Sequence, residues 1–385
     1  MKQCNFCKTY EKEGNPIIES NNTFICRSCA EVSLILTDNA PLGDYKELEQ
    51  KPKAKILSPL EYKSILDEYV IGQDSAKKVL SVGIYNHLLR LESEIQLPKN
   101  NVLFIGPSGT GKTFLAETIS KHLDIPLAIV NTTSLTAAGY IGEDVTSVLE
   151  RLWKDAGEDI EKAQKGIIFL DEVDKIATAG GGTNNKDVSG KAVQQELLKI
   201  LEGDKVKIYP EGSSKNRKSG TPIEIKTNDI LFIAGGAFVG LKDKAGVQLS
   251  GLGSSKKEEH ISNGKMQTLL NDFGLIPEFY GRFSNIVQLE ELSIKSMENI
   301  MTKPKNNIIG QYTSLFMKSE VEVQFTKKFI DKVAKDSLDI KTGARGLKTI
   351  MEDLLTDFMF NISEYKGESV KIDYSYNEVK IKNGI

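Results

Sequence analysis

An α/β fold is what the sequence predicts: a mainly parallel sheet with helices on both faces and a binding site at the carboxyl ends of its strands. Three observations carry this. Asn101-Val102-Leu103-Phe104-Ile105 and Gly166-Ile167-Ile168-Phe169-Leu170 are continuous apolar runs of strand length, as expected of strands covered on both faces. Helical patterns flank the first run. Each run ends in a segment whose residues carry chemistry.

The first run leads into Gly106-Pro107-Ser108-Gly109-Thr110-Gly111-Lys112-Thr113 and then into the helical stretch Phe114–Leu123. Strand, glycine-rich loop and helix form the setting in which G-x-x-x-x-G-K-[ST] binds phosphate. Backbone N–H groups close around phosphate oxygens at the positive end of the helix dipole. Lys112 then suits the β- and γ-phosphates of ATP, and Thr113 suits Mg²⁺.

The second run ends in Asp171-Glu172. An acidic pair at the end of a buried strand, downstream of a P-loop, fits metal positioning by Asp171. Glu172 fits a general base acting on the attacking water. A solvated loop carrying two charges is the alternative.

All four cysteines lie near the start, as Cys4-x-x-Cys7 and Cys26-x-x-Cys29 around an 18-residue loop. This is the spacing of a four-thiolate Zn²⁺ site of the zinc-ribbon kind, in which metal binding supplies most of the folding free energy. Two reactive dithiols, or a disulfide pair, are the other reading. A reducing compartment argues against structural disulfides.

Composition narrows the function classes. The chain has 385 residues, 50 basic against 53 acidic, and a formal net charge of -3. A protein built mainly to hold nucleic acid usually shows a basic excess. No apolar run is long enough to cross a bilayer, and Met1–Asn5 lacks the apolar stretch of a secretory signal. A cytoplasmic location is therefore expected.

Residues 38–60 have no sustained period and read as a linker. A helical pattern runs from Glu61 to Glu94, interrupted at Tyr69-Val70-Ile71-Gly72-Gln73. Further on, Ser296–Phe316 and Arg345–Phe360 read as helices, followed by strands Ser369–Asp373 and Glu378–Lys382. The expected organisation is a zinc module (1–37), the linker, a large α/β ATPase domain (61–290) and a small α+β domain (291–385).

Taken in order, Cys4/Cys7/Cys26/Cys29, Tyr69–Gln73, Gly106–Thr113 and Ile168–Lys175 resemble the Clp-type AAA+ unfoldases of the ClpX family. The resemblance continues through Gly139–Val145, Asp187–Gly190, Gly274–Arg282 and Lys341–Leu347, nearly the whole chain. It implies a homohexameric ring with ATP between subunits, which unfolds protein substrates through a central pore and feeds a separate ClpP-type peptidase. On the matching positions it also implies that Val70 and Ile71 pack on adenine. Arg282 would be an arginine finger for the neighbouring subunit, and Arg345 a second sensor of nucleotide. A surface ion pair is the simpler reading of either arginine.

Gly139-Tyr140-Ile141-Gly142 has glycines flanking an aromatic–aliphatic pair, which suits a mobile loop with an apolar tip or else a buried turn. The resemblance assigns Tyr140 and Ile141 to the pore. Gly180–Lys186 has the composition of a disordered stretch and leads to a second pore loop at Asp187, Val188 and Ser189.

Three places depart from the family pattern. The basic entrance loop becomes Arg217-Lys218-Ser219, without a histidine. The apolar peptidase-docking tripeptide has no intact counterpart; the nearest are Ser250-Gly251-Leu252 or Leu252-Gly253-Ser254. The apolar strand at Ile230–Ala234 runs into Gly235-Gly236, so no polar first-sensor residue can be named. A remodelling chaperone without a peptidase and a nucleic-acid motor are the rival functions. The Tyr140 loop and the lack of basic charge favour a polypeptide substrate over nucleic acid.

Overall fold

The computed structural model describes residues 2–11, 16–20, 23–30, 56–92, 98–136, 143–178, 185–209, 222–241, 263–375 and 378–383. The chain forms two compact units, Met1–Lys55 and Ile56–Ile385. In the first, strands β1 (Ile17–Ser20) and β2 (Thr23–Cys26) pair antiparallel with Ile17 opposite Cys26. Its described core is Cys4, Ile17 and Cys26, with Phe24 and Cys29 packed on them. So small a core does not hold a fold without a staple.

The second unit begins with helices α1 (Pro59–Tyr69) and α2 (Asp74–Glu92). Helix α1 starts where a capping box sits: Glu61 N donates to Ser58 Oγ, and Ser58 N donates to the Glu61 carboxylate at 2.7 Å. Both satisfy helix-start N–H groups, and Pro59 fits the first turn. The interruption expected at Tyr69–Gln73 is present. Buried Gln73 then reaches across the fold, exchanging two 2.9 Å hydrogen bonds with the Glu290 backbone.

From there the chain alternates strand and helix. β3 (Val102–Ile105) precedes α3 (Lys112–Leu123) and β4 (Leu127–Asn131). Short strands β5 (Leu135–Thr136) and β6 (Glu143–Asp144) lead to α4 (Ser147–Asp155) and α5 (Ile160–Ala163). β7 (Ile167–Asp171) is followed by a 3₁₀ turn, Val173–Ile176, and by α6 (Asn185–Glu202). An antiparallel pair, β8 (Lys205–Ile208) and β9 (Ile223–Lys226), precedes β10 (Leu231–Gly236). Helices α7 (Asn263–Phe273) and α8 (Pro277–Tyr280) precede β11 (Asn285–Gln288).

Five of these strands make one parallel sheet in the order β11-β3-β10-β7-β4. Side chains alternate across it. Leu103, Ile168, Leu170 and Phe232 join one core with Leu149, Leu197 and Leu270 of α4, α6 and α7. Val102, Phe104, Phe169 and Ile233 join the other with Leu66, Leu80 and Leu115 of α1, α2 and α3. With both faces covered, the open positions lie at the strand ends.

The remainder comprises α9 (Ile294–Thr302), α10 (Ile308–Lys318), β12 (Glu322–Phe325), α11 (Lys327–Asp339) and α12 (Ala344–Phe360). Strands β13 (Ser369–Ser375) and β14 (Glu378–Asn383) close the chain. β12 and β14 flank β13, parallel and antiparallel respectively. A separate core includes Met297, Phe316, Phe329, Leu347 and Val370.

Two sequence expectations change. Ser296–Phe316 is not one helix: the chain breaks around Pro304, which cannot continue a helix. It restarts where Asn307 Oδ1 accepts from Gly310 N at 2.7 Å. Asp187, Val188 and Ser189, expected on a loop, lie in the first turn of α6, which already includes Asn185 and Lys186.

At the opposite end of the sheet from the glycine-rich loop and Asp171-Glu172, buried Asn101 stitches the strands together. Its Nδ2 donates to Arg282 O at 3.0 Å, and its Oδ1 accepts from Phe232 N at 3.1 Å. Asn101→Ala strands both partners, at roughly 1–3 kcal/mol for each buried group left unpaired. The expected result is a lower urea midpoint, followed by fluorescence of Trp153, the single tryptophan. An unchanged midpoint would show that this stitch contributes nothing.

Candidate active site

A cleft of about 690 Å³ opens where the P-loop, the end of β7 and the end of β10 meet the start of α12. Gly111 caps α3 in the left-handed conformation, at φ 100°, so the helix begins at Lys112. Lys112 is buried, and its Nζ donates to the carbonyls of Gly106 at 2.6 Å and Pro107 at 2.8 Å. Burial pulls its pKa down to about 8, opposed by the nearby carboxylates of Asp171 and Asp174. Thr110, by contrast, turns its hydroxyl onto Pro107 O at 2.9 Å and stiffens the loop.

Thr113 Oγ1 donates to Asp171 Oδ2 at 3.0 Å. The P-loop and β7 thus bring a hydroxyl and a carboxylate together, the hard oxygen ligands that Mg²⁺ takes. The other Asp171 oxygen accepts from Glu172 N at 2.9 Å. Glu172 itself sits at φ 58°, the left-handed region that a residue with a Cβ adopts at a cost. Its neighbour Asp171 ends the strand, so the chain turns sharply where the two carboxylates emerge.

Two further polar residues converge on this turn. Thr132, fully buried just beyond β4, donates its hydroxyl to the carbonyls of Asp171 and Glu172, both at 3.0 Å. Buried Asp174 accepts from Ala237 N at 3.0 Å, just beyond β10. The sequence reading singled out neither. The available signal was the polar Asn131-Thr132-Thr133 closing an apolar strand and the second aspartate in Asp171-Glu172-Val173-Asp174.

Helix α12 closes one side of the cleft. Arg345, in its first turn, lines the cleft beside the P-loop. Ala344 N donates to Gly109 O at 3.1 Å, so this helix start is bonded directly to the P-loop. Tyr69 forms another wall, tilted against His122 of α3 with ring centroids 4.9 Å apart. Of the two residues expected at the base, Val70 is buried in the core and Ile71 is half-buried.

Arg282 is not brought to this cleft. It follows α8, half-exposed, and its guanidinium pairs with the Glu202 carboxylate. Asp187, Val188 and Ser189 are placed by backbone alone. Tyr140, Ile141, Arg217-Lys218-Ser219 and Ser250–Ser254 lie outside the described residues.

In the first unit, the Cys4, Cys7, Cys26 and Cys29 sulfurs lie within 4.8 Å of one another, with Cys7 and Cys26 3.6 Å apart. Thiolates around one zinc at Zn–S of about 2.3 Å stand ~3.8 Å apart, so the cluster fits that ion. Cys26 N also donates to Cys4 Sγ at 3.3 Å, a bond that favours thiolate. Zinc should therefore co-purify at about one ion per chain. Cys26→Ser should release it and unfold this unit while ATP hydrolysis persists. Metal analysis of reduced, chelator-free protein checks both, and a zinc-free wild type would end the assignment.

Comparison with known proteins gives the same picture. A family model described as AAA domain (Cdc48 subfamily) matches residues 97–286. Another, described as the C-terminal, D2-small domain of ClpB protein, matches residues 292–366. Proteins from two strains of Porphyromonas gingivalis are each 38% identical to this chain over 394 aligned residues, covering 98% of it and 96% of themselves. Both are named ATP-dependent Clp protease ATP-binding subunit ClpX. A P-loop lysine, an Asp-Glu pair and an α12 arginine share one cleft here, and the likeness runs almost end to end: the chain belongs to the ClpX family of AAA+ ATPases.

Proposed function

We propose that this chain is an ATP-driven protein unfoldase that works as a homohexamer and delivers unfolded chains to a separate ClpP-type peptidase. The observation that carries the proposal is the cleft in which Lys112, Thr113, Asp171, Glu172 and Arg345 meet, in a chain of this family.

In this reading the Gly106–Thr113 loop cradles the ATP phosphates, with its N–H groups and the dipole of α3 facing them. Lys112 exchanges its bonds to Gly106 and Pro107 carbonyls for phosphate oxygens. Thr113 and Asp171 hold Mg²⁺, which supplies charge neutralisation on the phosphates when bound. Glu172 takes the proton from the attacking water. Arg345 reports nucleotide state to the C-terminal part, and Arg282 reaches the γ-phosphate held by the neighbouring subunit. Val70 and Ile71 support the adenine from the turn that also presents Tyr69. Tyr140 and Ile141, with Asp187, Val188 and Ser189, grip the substrate by bulk and apolar contact, which makes the grip nearly independent of sequence.

A tagged fluorescent protein tests this directly. With ATP, the wild-type chain should extinguish its fluorescence. Glu172→Gln should still bind ATP while turnover falls by about 10²–10⁴-fold. Tyr140→Ala should hydrolyse ATP without unfolding. ATP turnover by wild type with no loss of fluorescence would refute the unfoldase reading; normal turnover by Glu172→Gln would remove it as the base.

The peptidase contact is expected to be unusual. An apolar docking side chain is worth roughly 1.5–3 kcal/mol when buried. Near Ser250-Gly251-Leu252 a serine replaces part of that anchor in either register. The loss multiplies over several loops. Ser250→Ile with Leu252→Phe should therefore tighten binding to a standard peptidase, measured by surface capture. Tight binding by the natural chain, unimproved by the change, would refute this.

A further inference from the structure

We propose that Thr132 and Asp174 are positioning residues that hold Glu172 in its left-handed backbone conformation from both sides, and so aim its carboxylate. This rests on the reading of Glu172 as the general base.

A residue with a Cβ keeps a positive φ only where its surroundings over-determine it. At Glu172, φ 58°, they do. β7 lies between β4 and β10 in the sheet, and each neighbour sends one tie to the turn beyond it. From the β4 side, Asn131 stands opposite Asp171, which brings Thr132 beside the turn. Its buried hydroxyl donates to Asp171 O and Glu172 O at 3.0 Å each. From the β10 side, Ala237 N donates to Asp174 Oδ1 at 3.0 Å, anchoring the 3₁₀ turn that follows Glu172. Lys175 N closes that turn on Glu172 O at 2.8 Å.

Each side chain already has a structural partner, and Asp174 also lines the cleft. The Thr132 hydroxyl is committed to two carbonyls. Asp174, with only 3% of its side chain exposed, is committed to Ala237 N and lies 3.5 Å from Lys175 Nζ. Their work is to fix where the neighbouring carboxylate points. Displacing a reacting group by about 1 Å can cost on the order of 10²-fold in rate.

The test uses the full-length chain and compares Thr132→Val, Thr132→Ser, Asp174→Ala and Asp174→Asn, with Glu172→Gln as reference. Steady-state ATPase gives kcat and KM, and a fluorescent ADP gives nucleotide affinity. Thr132→Val and Asp174→Ala should each lower kcat by about 10²-fold, with KM and ADP affinity nearly unchanged. Thr132→Ser restores the donor and Asp174→Asn the acceptor, so both should recover most of kcat. Because each tie acts on the same backbone turn, the double variant Thr132→Val/Asp174→Ala should lose less than the product of the single losses.

Wild-type kcat in Thr132→Val and Asp174→Ala, beside an inactive Glu172→Gln, would overturn the clamp while leaving the base intact. Parallel loss of ADP affinity, or no recovery in Thr132→Ser and Asp174→Asn, would overturn it in favour of a merely structural role. If Thr132→Val does not fold, the Asp174→Ala and Asp174→Asn pair decides alone. Normal turnover in Glu172→Gln would remove the base reading, and the clamp with it.

Discussion

The structure turns on one close approach, that of the P-loop to the start of α12. Gly109 has φ 74°, and a Cβ there would stand 2.1 Å from Thr342 O. Gly343 is confined too, with Ser108 O 2.8 Å from where its Cβ would be. Only backbone can meet backbone at this distance, and the Ala344 N to Gly109 O bond joins the two. The loop proposed to cradle phosphates is therefore also a joint between the sheet and the C-terminal helices. The same bond ties the loop to the start of the helix that carries Arg345. The proposed conversion of ATP state into movement starts from this contact.

The parallel sheet imposes the second constraint. With both faces sealed by helices, each strand can present polar groups only at its ends. Carboxyl ends gather the P-loop, Asp171-Glu172, Thr132 and Gly236-Ala237. Amino ends carry the Asn101 stitch and a half-buried basic group, Lys99, which donates to Leu201 O and Thr227 O. Burial lowers the Lys99 pKa to about 8. It also holds that of nearby His87 down to about 4. A histidine depressed in the fold stays neutral at neutral pH, and stability is lost as pH falls from the unfolded value toward the folded one, where only the unfolded chain takes the proton. The two ends thus divide the work: one is polar to act, the other to hold the strands in register.

What the sequence made legible was what is local. The P-loop, the Asp-Glu pair and the two Cys-x-x-Cys knuckles each place their chemistry within a few consecutive residues, and strand–loop–helix context does the rest. The break at Tyr69–Gln73 was legible for the same reason. Thr132 and Asp174 were not, because their partners are set by the register of β4 and β10 on β7, which no local pattern encodes. The helix break around Pro304 was written in the sequence, but apolar periodicity on both sides masked it. Asp187–Ser189 differ in another way: the resemblance places them on a loop, while their backbone lies at the start of α6.

The finger role proposed for Arg282 requires a site that is incomplete within one chain. Its carbonyl is fixed by Asn101 and its backbone by the short helix α8, so the residue is well placed. Yet its guanidinium is 46% exposed and faces Glu202, outside the cleft formed by its own Lys112 and Arg345. An exposed ion pair of this kind is worth at most about 1 kcal/mol. A phosphate carrying more charge would outcompete the Glu202 carboxylate for a rigid guanidinium fork. Held in place by backbone but weakly retained by its side-chain partner, Arg282 is suited to serve a phosphate that arrives from outside the chain. In the proposed ring that phosphate belongs to the adjacent subunit, so hydrolysis at one cleft depends on the position of the next.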